Sequence, residues 1–326
     1  NIRHNRFGVS LTKHPIADLI ARRGGLVIDG AMSTPLEAAG LNLNDTLWSA
    51  KALLECPDLV RKVHYDYYAA GANAVEACSY QATEAAFARK GIEKAEASRL
   101  IRLSGELVRE AKNDVLLDHP EWDPADLLTA GSIGPYGAYL ADGSEYTGAY
   151  DLTREEYYAF HQLRLDELLN SGMDILAIET QPRFDEIEAL LAMIAERDIT
   201  CWVTVTLKDG DMPDGTKLEV LAKCLDADPH VEAFGFNCVK REWVEPGLKR
   251  LSAYTDKPLV VYPNSGETYD PTTKTWHAQG AHEPDWNHYV PLWEHTGARC
   301  IGGCCRTLPK DIVQIAELLH GAAEKH

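Results

Sequence analysis

Positive charge is scarce in this 326-residue chain: 32 Lys and Arg stand against 50 Asp and Glu, a formal net charge of −18. That balance excludes a nucleic-acid backbone binder and a polybasic membrane-surface protein, both of which need concentrated positive charge. Long apolar runs are missing too. The longest unbroken one, Ala189 to Ala195, is far short of a bilayer span. Asn1 to Ser10 is polar and holds no apolar signal core, so no export signal is read and a cytoplasmic location is expected. No low-complexity linker or abrupt change in composition divides the chain. A single domain over residues 1–326 is therefore expected, with 1–10 as a flexible lead. With 45% hydrophobic and 25% charged residues, the chain is too apolar for intrinsic disorder.

What the chain does have is eight cysteines, at 56, 78, 201, 224, 238, 300, 304 and 305. An acidic chain without an export signal points to a reducing compartment, where thiols stay free or bind metal. Cys56, Cys201 and Cys224 sit alone in apolar surroundings and read as small core residues. Cys78 ends a strand-like stretch, and core packing is favoured for it as well. The rest differ. Gly302-Gly303-Cys304-Cys305-Arg306 places two adjacent thiols behind two glycines, where a backbone turns sharply, and Gly235-Phe236-Asn237-Cys238 closes a strand-like run in a similar way.

Short apolar runs alternate with longer amphipathic ones along the whole chain. Strands are predicted at 26–29, 74–78, 127–131, 175–179, 201–207, 233–237, 259–262 and 299–302. Helices are predicted between and after them at 57–70, 93–116, 154–170, 184–196, 218–226, 244–254, 285–295 and 308–323. Thr153 with Glu156 matches a capping box, and Ser171-Gly172 supplies a stop. Eight strands alternating with eight helices predict a single (β/α)8 TIM barrel, with a doubly wound open sheet as the alternative. Residues 132–152, rich in Gly, Tyr and Asp, read as an extended loop after the third strand.

In such a barrel the active site lies at the C-terminal ends of the strands. Polar, Gly-flanked residues recur there: Asp29-Gly30-Ala31, Ser79-Tyr80-Gln81, Glu179-Thr180, Asn237-Cys238, Asn264 and Cys304-Cys305. Three thiols on neighbouring parts of one rim suit zinc, which takes thiolates in a tetrahedron and keeps one position open in catalytic sites. Cys238, Cys304 and Cys305 leave that position free. Cys300 lies four residues below Cys304, roughly 13 Å along an extended chain, so a closed four-thiol site is disfavoured. An open three-thiolate site is suited to activating a substrate thiol, because a coordinating thiol is deprotonated and the thiolate is the nucleophile. Alkyl transfer to sulfur is the matching reaction.

The residues at these positions also resemble the homocysteine S-methyltransferases over almost the whole chain. The matching stretches are Asp29-Gly30-Ala31-Met32, Leu47-Trp48-Ser49-Ala50, Ser79-Tyr80-Gln81-Ala82-Thr83 and residues 131–148 (GSIGPYGAYLADGSEYTG). Glu179-Thr180, residues 235–238, residues 262–269 (YPNSGETY), Lys274-Thr275-Trp276-His277 and residues 302–306 (GGCCR) complete them. The resemblance implies a zinc-dependent barrel enzyme that methylates L-homocysteine to methionine, with zinc on Cys238, Cys304 and Cys305. It implies that Asp29, Gly30 and Glu179 hold the amino-acid end of homocysteine. On chemical grounds Glu179 pairs with the ammonium, backbone N–H groups at Gly30 and Ala31 receive the carboxylate, and Asn237 and Asn264 orient substrate or the groups behind it, with loop scaffolding as the alternative. His277 is left outside the metal shell. The compact length and the 131–148 loop resemble the branch using S-methylmethionine, with S-adenosylmethionine less favoured. Trp48, Tyr136, Tyr139, Tyr146 and Trp276 are aromatic candidates for facing the sulfonium cation. Pro35 departs from the acid usual at its position. Two alternatives stand: a selenocysteine or other thiol as acceptor, and a non-catalytic zinc or thiol sensor.

Overall fold

The computed structural model describes residues 3–4, 10–264, 267–270, 275–278 and 285–321, with main chain alone at 3–4, 10–11, 267–270 and 275–278. Eight parallel strands form the barrel: β1 Leu26–Val27, β2 Ala74–Glu76, β3 Leu128–Ile133, β4 Ile175–Gln181, β5 Cys201–Val205, β6 Val231–Asn237, β7 Leu259–Tyr262 and β8 Ala298–Ile301. They pair in the order β1-β8-β7-β6-β5-β4-β3-β2. The ring closes through a parallel bridge between Ile28 and Ala74, with Asn73 N–H bonded to Val27 O and Asp29 N–H to Ala74 O. All eight predicted strands are present, and the open-sheet alternative falls with that closure.

The helices that follow the strands are α1 Pro57–Ala70, α2 Lys94–Asp118, α3 Arg154–Asn170, α4 Phe184–Ala195, α5 Leu218–Ala227, α6 Arg241–Ser252, α7 Trp286–His295 and α8 Pro309–His320. Two match their predicted bounds residue for residue because local chemistry marks their ends. Helix α1 opens on Pro57 and closes at Gly71, whose φ of +114° suits a residue without Cβ. Helix α3 has both bonds of its capping box, Glu156 N–H to Thr153 Oγ1 and Thr153 N–H to Glu156 Oε1, and stops at Ser171-Gly172. Helix α6 starts three residues before its predicted position.

Six shorter helices were not predicted: 15–23, 33–38, 48–55, 84–89 and, inside the supposed extended loop 132–152, 136–140 and 144–147, which correct that loop. Pieces this short carry too few turns for a hydrophobic period to show. The flexibility expected of residues 1–10 falls almost wholly outside the described residues, where 3–4 pair with 10–11.

Two apolar layers hold the barrel. The outer one lies between the strands and the helices and takes alternate strand residues such as Val75, Leu176, Val203 and Phe234. The inner one fills the lumen with the other set, including Leu26, Ile28, Ala130, Ala177, Trp202 and Cys300. Helix Pro15–Arg23 plugs the N-terminal end of the lumen with Ile16 and Leu19, both fully buried. Among the described residues no helix is long and apolar enough to cross a membrane.

Candidate active site

Two residues further along each strand, the same inward face becomes polar, as the period-2 geometry of a strand requires. Ala74 leads to Glu76, Ala130 to Ser132, Ala177 to Glu179, Trp202 to Thr204, and Val260 to Tyr262. This layer is bonded across the barrel. Glu179 is buried, and its two oxygens accept from Ser132 Oγ at 2.6 Å and Tyr262 OH at 2.7 Å. Tyr262 OH in turn accepts from Trp202 Nε1 at 3.0 Å. Near the end of β4, where its register with β5 shifts, Thr180 stands at a φ of +56°. Asn237 keeps it there: its Oδ1 accepts from Thr180 N–H at 2.8 Å and its Nδ2 donates to Thr180 Oγ1 at 2.8 Å. Thr204 Oγ1 also donates to Asn237 Oδ1, and Asn237 Nδ2 reaches Cys238 Sγ at 3.6 Å. The amide expected to touch substrate is thus engaged with protein at both ends.

The thiols meet over the end of β7. Cys238 follows β6 and its N–H donates to Tyr262 O at 3.2 Å; Cys304 follows β8 and its N–H donates to Pro263 O at 3.1 Å. Both loops are pinned to the strand between them, which brings the Cα atoms of Cys238 and Cys304 to 5.9 Å, much closer than two strand spacings. The sulfurs of Cys238, Cys304 and Cys305 lie within 4.8 Å of one another, and among the described residues no other His, Cys, Asp and Glu group of three or more is gathered so tightly. Cys238 and Cys304 are joined as a disulfide, so the three free thiolates read from the sequence exist only when that bond is reduced. Burial pushes the Cys305 thiol up to about 11. A nearby cation is what this site needs to hold thiolates.

Glycine allows the loop after β8 to lie against β1. A Cβ on Gly302 would stand 2.5 Å from Ile28 O, and one on Gly303 would stand 2.4 Å from Thr307 Oγ1. Thr307, fully buried, donates its hydroxyl to Cys304 O at 2.6 Å and accepts Ala31 N–H at 3.2 Å. The Ala31 N–H expected to receive a substrate carboxylate is therefore bonded to Thr307. Gly30 lies against Thr307 and Tyr67, where a side chain would clash with both hydroxyls.

Asp29 is buried, with Glu76 N–H donating to its Oδ2 at 3.1 Å. Its Oδ1 has no partner. Burial first, and the charge of Glu179 further down, raise the Asp29 carboxyl to about 8. Glu76 is raised well above the usual carboxylate range by the same burial and by Glu179 and Asp29. Sequence reasoning placed Glu76 inside a strand and overlooked it. The signal was there: an acid in a parallel strand, which is buried on both faces, has to have a purpose.

On the opposite rim, Tyr136 packs against Tyr139, Tyr150 and Phe160, and the Arg89 guanidinium sits 3.7 Å from the Tyr139 ring centre. Two of the expected sulfonium-facing rings are thus committed to each other and to a protein cation. Trp48 packs on the outer core, Tyr146 is exposed, and the side chains of Trp276 and His277 lie outside the described residues. Glu145, also overlooked, is held near Cys305 with its Oε2 buried and unpartnered, and burial raises its carboxyl.

Beneath this rim lies a buried charged network. Arg164 donates to Tyr80 O at 2.7 Å, to Gly134 O at 2.8 Å and to His161 Nδ1 at 2.8 Å. Because a guanidinium only donates, Nδ1 of His161 accepts and its Nε2–H donates to Glu186 Oε2 at 2.7 Å. Glu186 also accepts Tyr136 N–H and Tyr150 OH. Desolvation lowers the His161 imidazole, which stays neutral. The network ties the loops after β2 and β3 to helices α3 and α4.

A (β/α)8 barrel with three clustered thiols at its C-terminal mouth, beside buried carboxyls, defines a class of thiol-site barrel enzyme. The sequence profile of the homocysteine S-methyltransferases matches residues 26–319. The chain is 48% identical over 304 residues to the homocysteine S-methyltransferase of Escherichia coli (strain K12), covering 93% of this chain and 97% of that protein. It superposes on the metallated form of the homocysteine methyltransferase MmuM from Escherichia coli with a TM-score of 0.85, at 45% identity, covering 93% of this chain and 99% of that one. The oxidized form of MmuM gives 0.83 at 45% identity, covering 92% of this chain and 98% of that one. The chain belongs to the homocysteine S-methyltransferase family and is an enzyme.

Proposed function

We propose that the enzyme transfers a methyl group from S-methylmethionine, or less readily S-adenosylmethionine, to the sulfur of L-homocysteine, with zinc held by Cys238, Cys304 and Cys305. The observation that carries the reading is the three-thiol cluster beside Glu179 and Asp29. Once the Cys238–Cys304 bond is reduced, the donor set suits the metal: sulfurs around a tetrahedral zinc stand roughly 3.8 Å apart, given Zn–S bonds of about 2.3 Å, and the three are gathered within 4.8 Å. When bound, zinc supplies the positive charge that favours the thiolate form of an incoming sulfur.

The protein's own groups do the rest. Glu179, oriented by Ser132 and Tyr262, and Asp29 take the acceptor's ammonium. The Gly30 N–H takes the acceptor's carboxylate end, while the absent Cβ lets Gly30 pack against Thr307 and Tyr67. Asn237 acts by positioning, holding the Glu179-Thr180 segment and Cys238 in register. Glu145 offers a carboxylate to a sulfonium donor on the far side of the thiols. The acceptor sulfur forms a bond to the methyl carbon while the carbon–sulfonium bond breaks, its electron pair going to the leaving sulfur. The acceptor's thiol proton goes to solvent. With S-methylmethionine both products are methionine. No protein base is required, and the rate gain comes from orienting two substrates in line.

A methyl-transfer assay with both sulfonium donors, with and without chelator, tests the reading. Cys304→Ser is expected to lose its zinc and at least about a hundredfold of activity, beyond the 10–100-fold typical of groups outside the ligand shell. A zinc-free Cys304→Ser with near-normal turnover would end it.

A further inference from the structure

We infer that Glu76 is a third acceptor-binding carboxyl, which together with Asp29 and Glu179 selects acceptors that carry a free ammonium group. The inference rests on the function proposed above and adds a residue and a selectivity to it.

Three strands bring these acids together: Asp29 just beyond β1, Glu76 at the end of β2 and Glu179 in β4. The Glu76 N–H fixes Asp29, and the charges of Asp29 and Glu179 both act on the Glu76 carboxyl. Among the described residues, no Lys or Arg pairs with any of the three. Two of their oxygens, Asp29 Oδ1 and Glu76 Oε1, are buried without a hydrogen-bond partner, and Asp29 is 3% exposed. Buried acceptors in that condition are costly unless something donates to them.

The chemistry of the missing donor follows from the spacing. A small hard metal ion needs ligand oxygens drawn close together, and among the described residues only the three thiols are gathered that tightly. An ammonium group is larger and carries three N–H donors on a tetrahedral nitrogen. A sulfonium has no N–H to give. Glu179 has spent one lone pair per oxygen on Ser132 and Tyr262 and retains the others. Burial and, after it, the neighbouring charges raise the Asp29 and Glu76 carboxyls in the free enzyme, and an entering cation offsets both.

The test is calorimetric binding of L-homocysteine and of its amine-free analogue 4-sulfanylbutanoate to the zinc-loaded enzyme, wild type against Glu76→Gln and Glu76→Asp. Glu76→Gln is expected to weaken L-homocysteine at least tenfold, about 1.4 kcal/mol, and to leave 4-sulfanylbutanoate unchanged, which also shows that the variant is folded. Glu76→Asp, which keeps the charge, is expected to recover part of that loss. An equal change for both ligands, or none for L-homocysteine, overturns the inference. Ammonium selectivity that depends on Glu76 in an enzyme that transfers no methyl group would sink the proposed reaction and leave the role of Glu76 standing.

Discussion

The two ends of the barrel use buried acids in opposite ways. At the N-terminal end Glu232 accepts from Ala17 N–H at 3.0 Å, from Ile16 N–H at 3.4 Å and from Thr200 Oγ1 at 2.5 Å, tying the plugging helix to β5 and β6. Asp174 there accepts from Thr129 N–H, Thr129 Oγ1 and Lys112. At the C-terminal end the buried oxygens of Asp29, Glu76, Gln81, Glu145, Gln181 and Asn264 each include one without a partner. Five of the six lie at or soon after strand ends, and Glu145 lies in the short helix 144–147. A satisfied buried acid is fastening; an unsatisfied one is a binding surface waiting for its ligand, and its cost is carried by the stability of the rest. The same residue type therefore reads as architecture at one end and as chemistry at the other.

Arg164 gives the sharpest challenge to that division, because it sits at the active end yet both of its terminal nitrogens are engaged, with Nε alone lacking a partner. If it acts by holding the loops after β2 and β3, Arg164→Ala leaves Tyr80 O and Gly134 O without their donor. It is expected to cut kcat/KM about 10–100-fold, the range for groups that orient a site from behind. Most of the loss should lie in KM for the donor, and zinc content should hold. Steady-state kinetics with zinc analysis decide it; an unchanged kcat/KM would reduce the network to fastening.

Glu232→Ala probes the other end. It leaves two helix N–H groups and a hydroxyl without their acceptor and is expected to cost about 1–3 kcal/mol of unfolding free energy. Well below its melting range, KM for both substrates should be unchanged. Denaturant unfolding beside kinetics checks this, and a KM shift larger than the stability loss explains would break the comparison.

How much of this was legible beforehand divides along local and non-local lines. The barrel was readable because each strand is a compact apolar run, and α1 and α3 were readable to the residue because Pro57, Gly71, Thr153 and Glu156 are local end signals. The three thiols were readable because glycines and strand ends flank them. The position of Asn237 was legible but its task was not, since that depends on Thr180, 57 residues away. The bond from Ala31 N–H to Thr307 was hidden for the same reason, since the two residues are 276 apart. Tyr136 and Tyr139 looked available in a list of aromatics, and only packing shows them facing Phe160 and Arg89. Glu76 was missed because attention went to residues after the strands rather than to an anomalous charge within one.

The smallest expected effect concerns pH, and it bears on the unsatisfied end alone. Asp29 is raised from an ordinary 3.8 to about 8, chiefly by burial. A carboxyl raised in this way favours the folded state when protonated. Its contribution is therefore lost as pH climbs from about 4 toward 8, and the free enzyme bears the cost of ionising it. An ammonium ligand binds the ionised form, so below pH 8 it competes with a proton. Homocysteine affinity should then strengthen as pH rises from 6 to 7.5, by about tenfold per unit at the single-proton limit and by less if Glu76 shares the proton. Loss of the thiol proton adds its own dependence, which 4-sulfanylbutanoate shares. The slope that matters is therefore the excess of homocysteine over that analogue. Equal slopes for the two ligands would mean that the carboxyls at the mouth are already ionised and do not exchange their proton for the substrate's ammonium.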